Sequence, residues 1–155
     1  MVNSLKIEIV FPGKIKNDFL QEGFNEYVKR IKRMVKIEIK TLESSHSQNP
    51  EICIEEESKK LIKYLGEKKF ILLDVEGEEM NTAEFADLIR NGIENSHDIC
   101  FVVGGTYGVS NELKKRANLR LSISPMTFTH SITLLLLVEQ IYRSMKIISS
   151  QPYDH

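Results

Sequence analysis

Two short apolar runs, FILLDV at residues 70–75 and ICFVV at residues 99–103, constrain this chain more than any other feature. A strand with one face in water alternates apolar and polar residues. A run that is apolar on both faces has to be covered on both sides, as in the middle of a parallel sheet. Parallel neighbours in turn need long crossover connections, which are usually helices.

The rest of the sequence supplies those crossovers. Residues 5–11 alternate and read as a strand. Asp18 with Gln21 predicts a capping box, ahead of Phe19, Leu20, Phe24, Tyr27, Val28 and Ile31 at helical spacing. Val35, Ile37 and Ile39 alternate with Lys36, Glu38 and Lys40, giving a strand with one exposed face. After a polar loop at 43–50, Asn49-Pro50 opens the next helix, since proline suits the first helical position, and Gly66 closes it. Asn81 with Glu84 is a second capping box, before Phe85, Ala86, Leu88, Ile89 and Ile93. Beyond the second apolar run come a glycine turn at 104–110, a short helix over 111–117 and a short strand over 119–123. A loop at 125–129 then leads into a long helix through most of 131–148. The order βαβαβαβαβα predicts an α/β domain with a mostly parallel sheet and helices on both faces. No repeat or linker divides the 155 residues, so 1–155 reads as one domain.

The net charge of −1 argues against a general nucleic-acid binder. The basic residues are nevertheless clustered, at Lys29, Arg30, Lys32, Arg33 and Lys36, and at Lys114, Lys115, Arg116, Arg120, Arg143 and Lys146. Each cluster is either a solvated face or a local patch for a structured RNA. Cys53 and Cys100 stand far apart without metal-type spacing, so a reducing compartment and no metal centre are expected. The most apolar stretch, 132–148, is broken by Glu139, Gln140, Arg143 and Lys146. It falls short of the about 20 apolar residues a membrane span needs, so a buried helix, no membrane partner and a cytoplasmic location are expected.

Ligands of open α/β sheets bind beyond the carboxyl ends of the strands. Three such ends stand out, at 73–77, 104–108 and 124–129. Gly104-Gly105-Thr106-Tyr107-Gly108 lets the backbone turn sharply beside a ligand, but it is neither the G-x-G-x-x-G dinucleotide fingerprint nor a phosphate loop. Ser122, Ser124, Thr127 and Thr129 gather around Pro125, Met126 and Phe128. Their hydroxyls suit an adenine edge and the apolar pair suits its faces; alternatively Thr127 or Thr129 caps the last helix. His130 is either structural or a general base. Asp74 beside Glu76 either caps the following turn or does acid–base work. The terminal Pro152-Tyr153-Asp154-His155 is either a frayed tail or a platform for an unstacked base. The helix from Ser131 is apolar around most of its circumference and must be buried on more than one side, which is compatible with dimerisation.

Several of these segments together resemble a known family. FVVGGTYGVS at 101–110 and LSISPMTFTH at 121–130 resemble segments of the bacterial large-subunit ribosomal RNA pseudouridine N3-methyltransferases. So do Glu139-Gln140, Tyr142-Arg143 and the ending Pro152-Tyr153, and EGFNEYVKR at 22–30. The resemblance covers essentially the whole chain. It implies a SPOUT-type fold with a C-terminal trefoil knot, a homodimer, and S-adenosyl-L-methionine held by Leu73, Gly105, Ser124, Pro125, Met126, Thr127, Phe128 and Thr129. It also implies a pseudouridine of large-subunit ribosomal RNA as substrate, methylated on the assembled ribosome, with Arg143, Tyr153 and His155 as the RNA-facing catalytic residues. Where the family has histidine after the terminal Pro-Tyr this chain has Asp154, with His155 one place later. Arg143 is suited to stabilise an anionic base, or else it pairs with Glu139 one helical turn earlier. Gly105→Val is expected to block the cofactor by filling its space. The competing readings are a noncatalytic RNA-binding module of the same fold and a same-class methyltransferase acting on tRNA or protein.

Overall fold

A computed structural model describes residues 2–151, with side chains from Leu5 onward. Its elements are β1 (Val2–Pro12), α1 (Asp18–Lys32), β2 (Val35–Leu42), α2 (Pro50–Leu65), β3 (Ile71–Glu79), α3 (Thr82–Glu94), β4 (Ile99–Val102), α4 (Asn111–Arg116), β5 (Leu119–Ser122) and α5 (His130–Ile148). The two apolar runs become β3 and β4, which lie side by side in a five-stranded sheet of order β2-β1-β4-β3-β5. Every pairing is parallel.

Period-two alternation along each strand sorts the core onto the two faces of the sheet. Ile7, Ile9 and Phe11 of β1 and Phe101 of β4 join Phe24, Ile31, Phe85, Ile89, Leu134, Leu137 and Ile141, so α1, α3 and α5 cover one face. Val10, Leu72, Cys100 and Val102 point the other way, onto Leu61, Leu65 and Leu113 of α2 and α4. Each such side chain taken fully out of water contributes roughly 1.5–3 kcal/mol before entropy is counted. The apolar girdle of α5 is largely used within the chain, because the helix packs against both α1 and α3. Ile132 and Ile147 stay exposed on it.

β1 is an inner strand although it carries Lys6 and Glu8. Glu8 is 4% exposed, accepting hydrogen bonds from the Tyr64 hydroxyl at 2.5 Å and the Lys68 ammonium at 2.8 Å. A polar residue is tolerated there because α2 and the turn after it bring a phenol and a cation over it.

Local signals set most helix ends. The Asn49 side chain accepts from Glu51 N and Ile52 N with Pro50 following, and Gly66 ends α2 at φ 58°. The Asn81–Glu84 capping box is complete, at 2.8 and 3.2 Å. The Asp18–Gln21 box does not form. α1 starts at Asp18 itself, so the cap position falls to Asn17, which makes no side-chain cap. Gln21 instead donates to Asn25 Oδ1 at 2.8 Å. Asp18 still complements the positive end of the helix dipole from the first turn.

β3 is longer than its apolar run. Leu121 of β5 pairs with both Leu73 and Glu78, so residues 74–77 leave the ladder as an excursion and then rejoin it. Gly77 lies so near β5 that a Cβ there would stand 2.5 Å from the carbonyl of Arg120. Only glycine permits so close a backbone approach.

Candidate cofactor cleft

The carboxyl ends of β3, β4 and β5 open into one cleft of about 820 Å³. All three strand ends singled out in the sequence meet there. Leu73, Gly105, Ser124, Met126, Thr127, Phe128 and Thr129 line it. Pro125 belongs to the same loop but is exposed and off the cleft wall. Arg143 also lies outside the wall, on α5, where its guanidinium meets Glu139 Oε1 at 2.7 and 3.2 Å. Tyr153 and His155 fall outside the described residues.

The glycine turn is tight. Gly108, at φ 90°, donates its N–H to the Gly105 carbonyl at 3.1 Å, which projects Thr106 and Tyr107 outward. Gly104 and Gly105 are glycines for a different reason, close approach. A Cβ on Gly104 would meet Val109 at 2.8 Å. A Cβ on Gly105 would fall inside 3.0 Å of Glu57 Oε1, on α2. The expectation that a side chain at 105 fills ligand space therefore needs revision, since the first thing it meets is protein. Ser58, beside Glu57, accepts from the Ser110 N–H at 2.8 Å, so α2 grips the turn at both ends.

In the 122–129 loop, most hydroxyls are spent on shape. Ser122 Oγ donates to the Ser124 carbonyl at 2.9 Å and Ser124 Oγ accepts from Met126 N at 3.0 Å. Thr129 caps α5, its Oγ1 accepting from Ile132 N. These bonds hold Met126 and Phe128 out, at 74% and 41% exposure, where a ligand face can be covered.

Charge is placed around the rim. Asp74 Oδ1 caps the excursion by accepting from Glu76 N at 3.0 Å, and its Oδ2 accepts from Arg120 at 3.1 Å. Lys16 and Asn17 reach in from the β1–α1 loop, and Lys114 from α4. His130, the first residue of α5, lines the cleft, and its buried Nδ1 has no partner among the described residues. Burial, then the Lys16 charge, hold its pKa below the ordinary value, with Glu57 opposing. At neutral pH it is an uncharged imidazole. Among the described residues no cluster of three or more His, Cys, Asp or Glu side chains could hold a metal, and no helix is long and apolar enough to cross a membrane.

Lys16 and Glu57 were not among the residues the sequence singled out. Lys16 carries no pattern that distinguishes it from its neighbours. Glu57 does: Cys53, Glu57, Leu61 and Leu65 recur every four residues and are all buried, which makes Glu57 a carboxylate inside an apolar stripe.

A parallel α/β sheet with a glycine turn and a hydroxyl-rich loop closing one cleft defines the class. Residues 5–155 match the family described as Predicted SPOUT methyltransferase, and the chain belongs to that family. Its curated relatives include proteins named ribosomal RNA large subunit methyltransferase H. That of Dictyoglomus thermophilum is 40% identical over 153 residues, covering 97% of this chain and all of the relative. That of Caldicellulosiruptor bescii is 40% identical over 151 residues, covering 95% and 98%. Among solved structures, a probable methylase family protein from Haemophilus influenzae aligns with TM-score 0.57 at 9% identity, over all of this chain and 72% of the other. A probable methyltransferase from Bordetella pertussis aligns with TM-score 0.55 at 13% identity, over 93% and 97%. At those identities the structures bear on the fold alone.

Proposed function

We propose that this chain methylates N3 of a pseudouridine in large-subunit ribosomal RNA, on the assembled ribosome in the cytoplasm, using S-adenosylmethionine and acting as a homodimer. The observation that carries this reading is the convergence of all three strand ends on one cleft, in a chain whose full-length relatives bear the name of ribosomal RNA methyltransferases.

The residues present suit the cofactor. Met126, Phe128, Leu73 and Ile123 provide apolar cover for an adenine, and loop backbone around Ser124 and Thr127 provides its polar edge. Asp74 and Glu76 on the rim favour a ligand carrying a sulfonium and an ammonium, and Lys16 favours its carboxylate. When bound, S-adenosylmethionine supplies a methyl group already activated on sulfur. The protein's task is alignment, which alone can lower a barrier by roughly 7–11 kcal/mol.

Arg143 lies 13 residues after His130 on α5, about 20 Å along the helix axis. Within one chain it is remote from the cleft mouth. In the homodimer we assign it to the cleft of the partner, where a permanent cation stabilises the base once it has lost its N3 proton. Tyr153 and His155, outside the described residues, are assigned a role toward the RNA from the sequence resemblance alone.

The test is methyl transfer from labelled S-adenosylmethionine to isolated ribosomes, free ribosomal RNA and tRNA. Incorporation into ribosomes supports the reading. Incorporation into tRNA alone, or none with any substrate, overturns it.

A further inference from the structure

We infer that Glu57 is a positioning residue of the cofactor cleft: its buried carboxylate is the wall against which Gly105 rests, and it dictates glycine at 105. The inference rests on the cofactor-binding reading above.

Glu57 is 4% exposed. Its Oε2 accepts from the Ser45 N–H at 2.9 Å, which anchors the side chain to the loop after β2. Its Oε1 has no hydrogen-bond partner among the described residues and lies inside 3.0 Å of where a Cβ on Gly105 would stand. Pro12 at the end of β1 closes the same space from the other side, with Cγ 3.4 Å from that Cβ position. The carboxylate cannot swing aside without giving up Ser45 and burying both oxygens unpaired, which is costly for a charged group. With Glu57 held through Ser45 and the far end of the turn held by Ser58, a side chain at 105 is relieved in the stretch between them, 104–107, which lines the cleft. Gly105 itself lines the cleft, so a displacement of its backbone moves the cofactor's contacts directly.

The position of Glu57 in an otherwise apolar stripe fits this role and fits a simple packing role poorly. A leucine there would fill the volume without a charge to bury. The carboxylate instead is anchored to the polar loop after β2, through Ser45, and abuts the glycine turn after β4, two segments that share no strand pairing.

A double-mutant cycle read by calorimetry with S-adenosylmethionine tests this. Gly105→Ala weakens binding by about tenfold or more, the usual consequence of overpacking a tight contact. Combining it with Glu57→Ala removes the obstruction, so G105A in the E57A background binds within about threefold of E57A alone. Combining it with Glu57→Gln, which keeps the size and the acceptor for Ser45, gives no recovery. Glu57→Asp, shorter by one methylene, recovers binding in part and serves if E57A proves unfolded by circular dichroism. Wild-type affinity in G105A, or equal losses in the E57A and E57Q backgrounds, overturns the inference. If the wild-type protein fails to bind the cofactor, the functional reading fails instead, and that is seen before any variant is made.

Discussion

Arg120 of β5 donates to Asp74 of β3 at 3.1 Å, and this bond fastens the 74–77 excursion down onto the neighbouring strand. Asp74 is nearly covered, with 8% of its side chain exposed, whereas 42% of Arg120 is exposed. Such a half-exposed pair contributes only about 1 kcal/mol to stability. Its larger effect is on the cleft, because Asp74 is on the wall and Arg120 is not. Arg120→Ala is expected to weaken S-adenosylmethionine binding by about three- to tenfold and to lower stability by roughly 1–2 kcal/mol, since Asp74 is left nearly covered with only the Glu76 N–H while a loosened loop has to be re-ordered on binding. Calorimetry on the variant checks this; unchanged affinity would mean that the excursion holds its shape without the pair.

Gly77 is the opposite case, a position where stability rather than affinity is at stake. A Cβ at 77 would stand 2.5 Å from Arg120 backbone atoms and 2.9 Å from Leu121 N, and backbone cannot move out of the way as a side-chain tip can. Gly77→Ala is expected to cost about 3 kcal/mol or more, at the upper end of overpacking effects. Urea denaturation gives the number. A loss below about 0.5 kcal/mol, the scale of an ordinary surface substitution, would show that the two strands are not held as tightly as their close approach suggests.

Glu8 makes the acid limb of stability testable. Burial raises its pKa, but the hydrogen bonds from Lys68 and Tyr64 outweigh that, and the carboxyl sits below its ordinary 4.5. A carboxylate depressed in the folded state adds stability above the unfolded value, and that stability is lost as pH falls through the folded value. Lys68 and Tyr64 are raised by the same contacts, so the Lys68 part persists until pH rises past 10.5. Glu8→Gln is expected to lower stability at pH 7 by about 2 kcal/mol and to flatten its decline below pH 4.5. Parallel pH slopes for the two proteins would contradict this.

The dimeric arrangement is checked by complementation. Gly105→Val disables a cleft and Arg143→Ala disables the cation, so each variant alone is expected to be inactive. If Arg143 serves the partner's cleft, mixing them leaves one intact cleft facing one intact arginine in each mixed dimer. After subunit exchange, about a quarter of wild-type methyl transfer should return, from the statistics of pairing two equal pools in a symmetric dimer. No return of activity, with exchange verified by mass spectrometry, would place Arg143 on its own cleft or remove it from the reaction.

The layout of the fold was legible because its signals are local. ICFVV and FILLDV each carry apolar residues on both faces and became β4 and β3, while the alternation of Val35, Ile37 and Ile39 became an edge strand. Asn49 and Asn81 announced their helices through bonds within three residues. A deciding contact that is distant in sequence leaves no such local mark. Nothing near residue 74 reveals that the strand leaves its ladder and returns at Glu78. The cap expected from Asp18 and Gln21 was displaced by one residue because the loop before it enters the helix earlier. The cleft was legible as three strand ends, but the reason for Gly105 was not, since Glu57 stands 48 positions earlier in the chain.

Nucleoside mass spectrometry of large-subunit RNA reads N3 methylation of pseudouridine by this protein without an intermediary. Ribosomes lacking the modification are incubated with this protein and S-adenosylmethionine, and their RNA is digested to nucleosides. A new pseudouridine carrying one methyl group on N3 is expected, absent when Arg143→Ala replaces the wild-type protein. Methylation on any other base or on ribose, or an unchanged nucleoside profile with cofactor demonstrably bound, would contradict it.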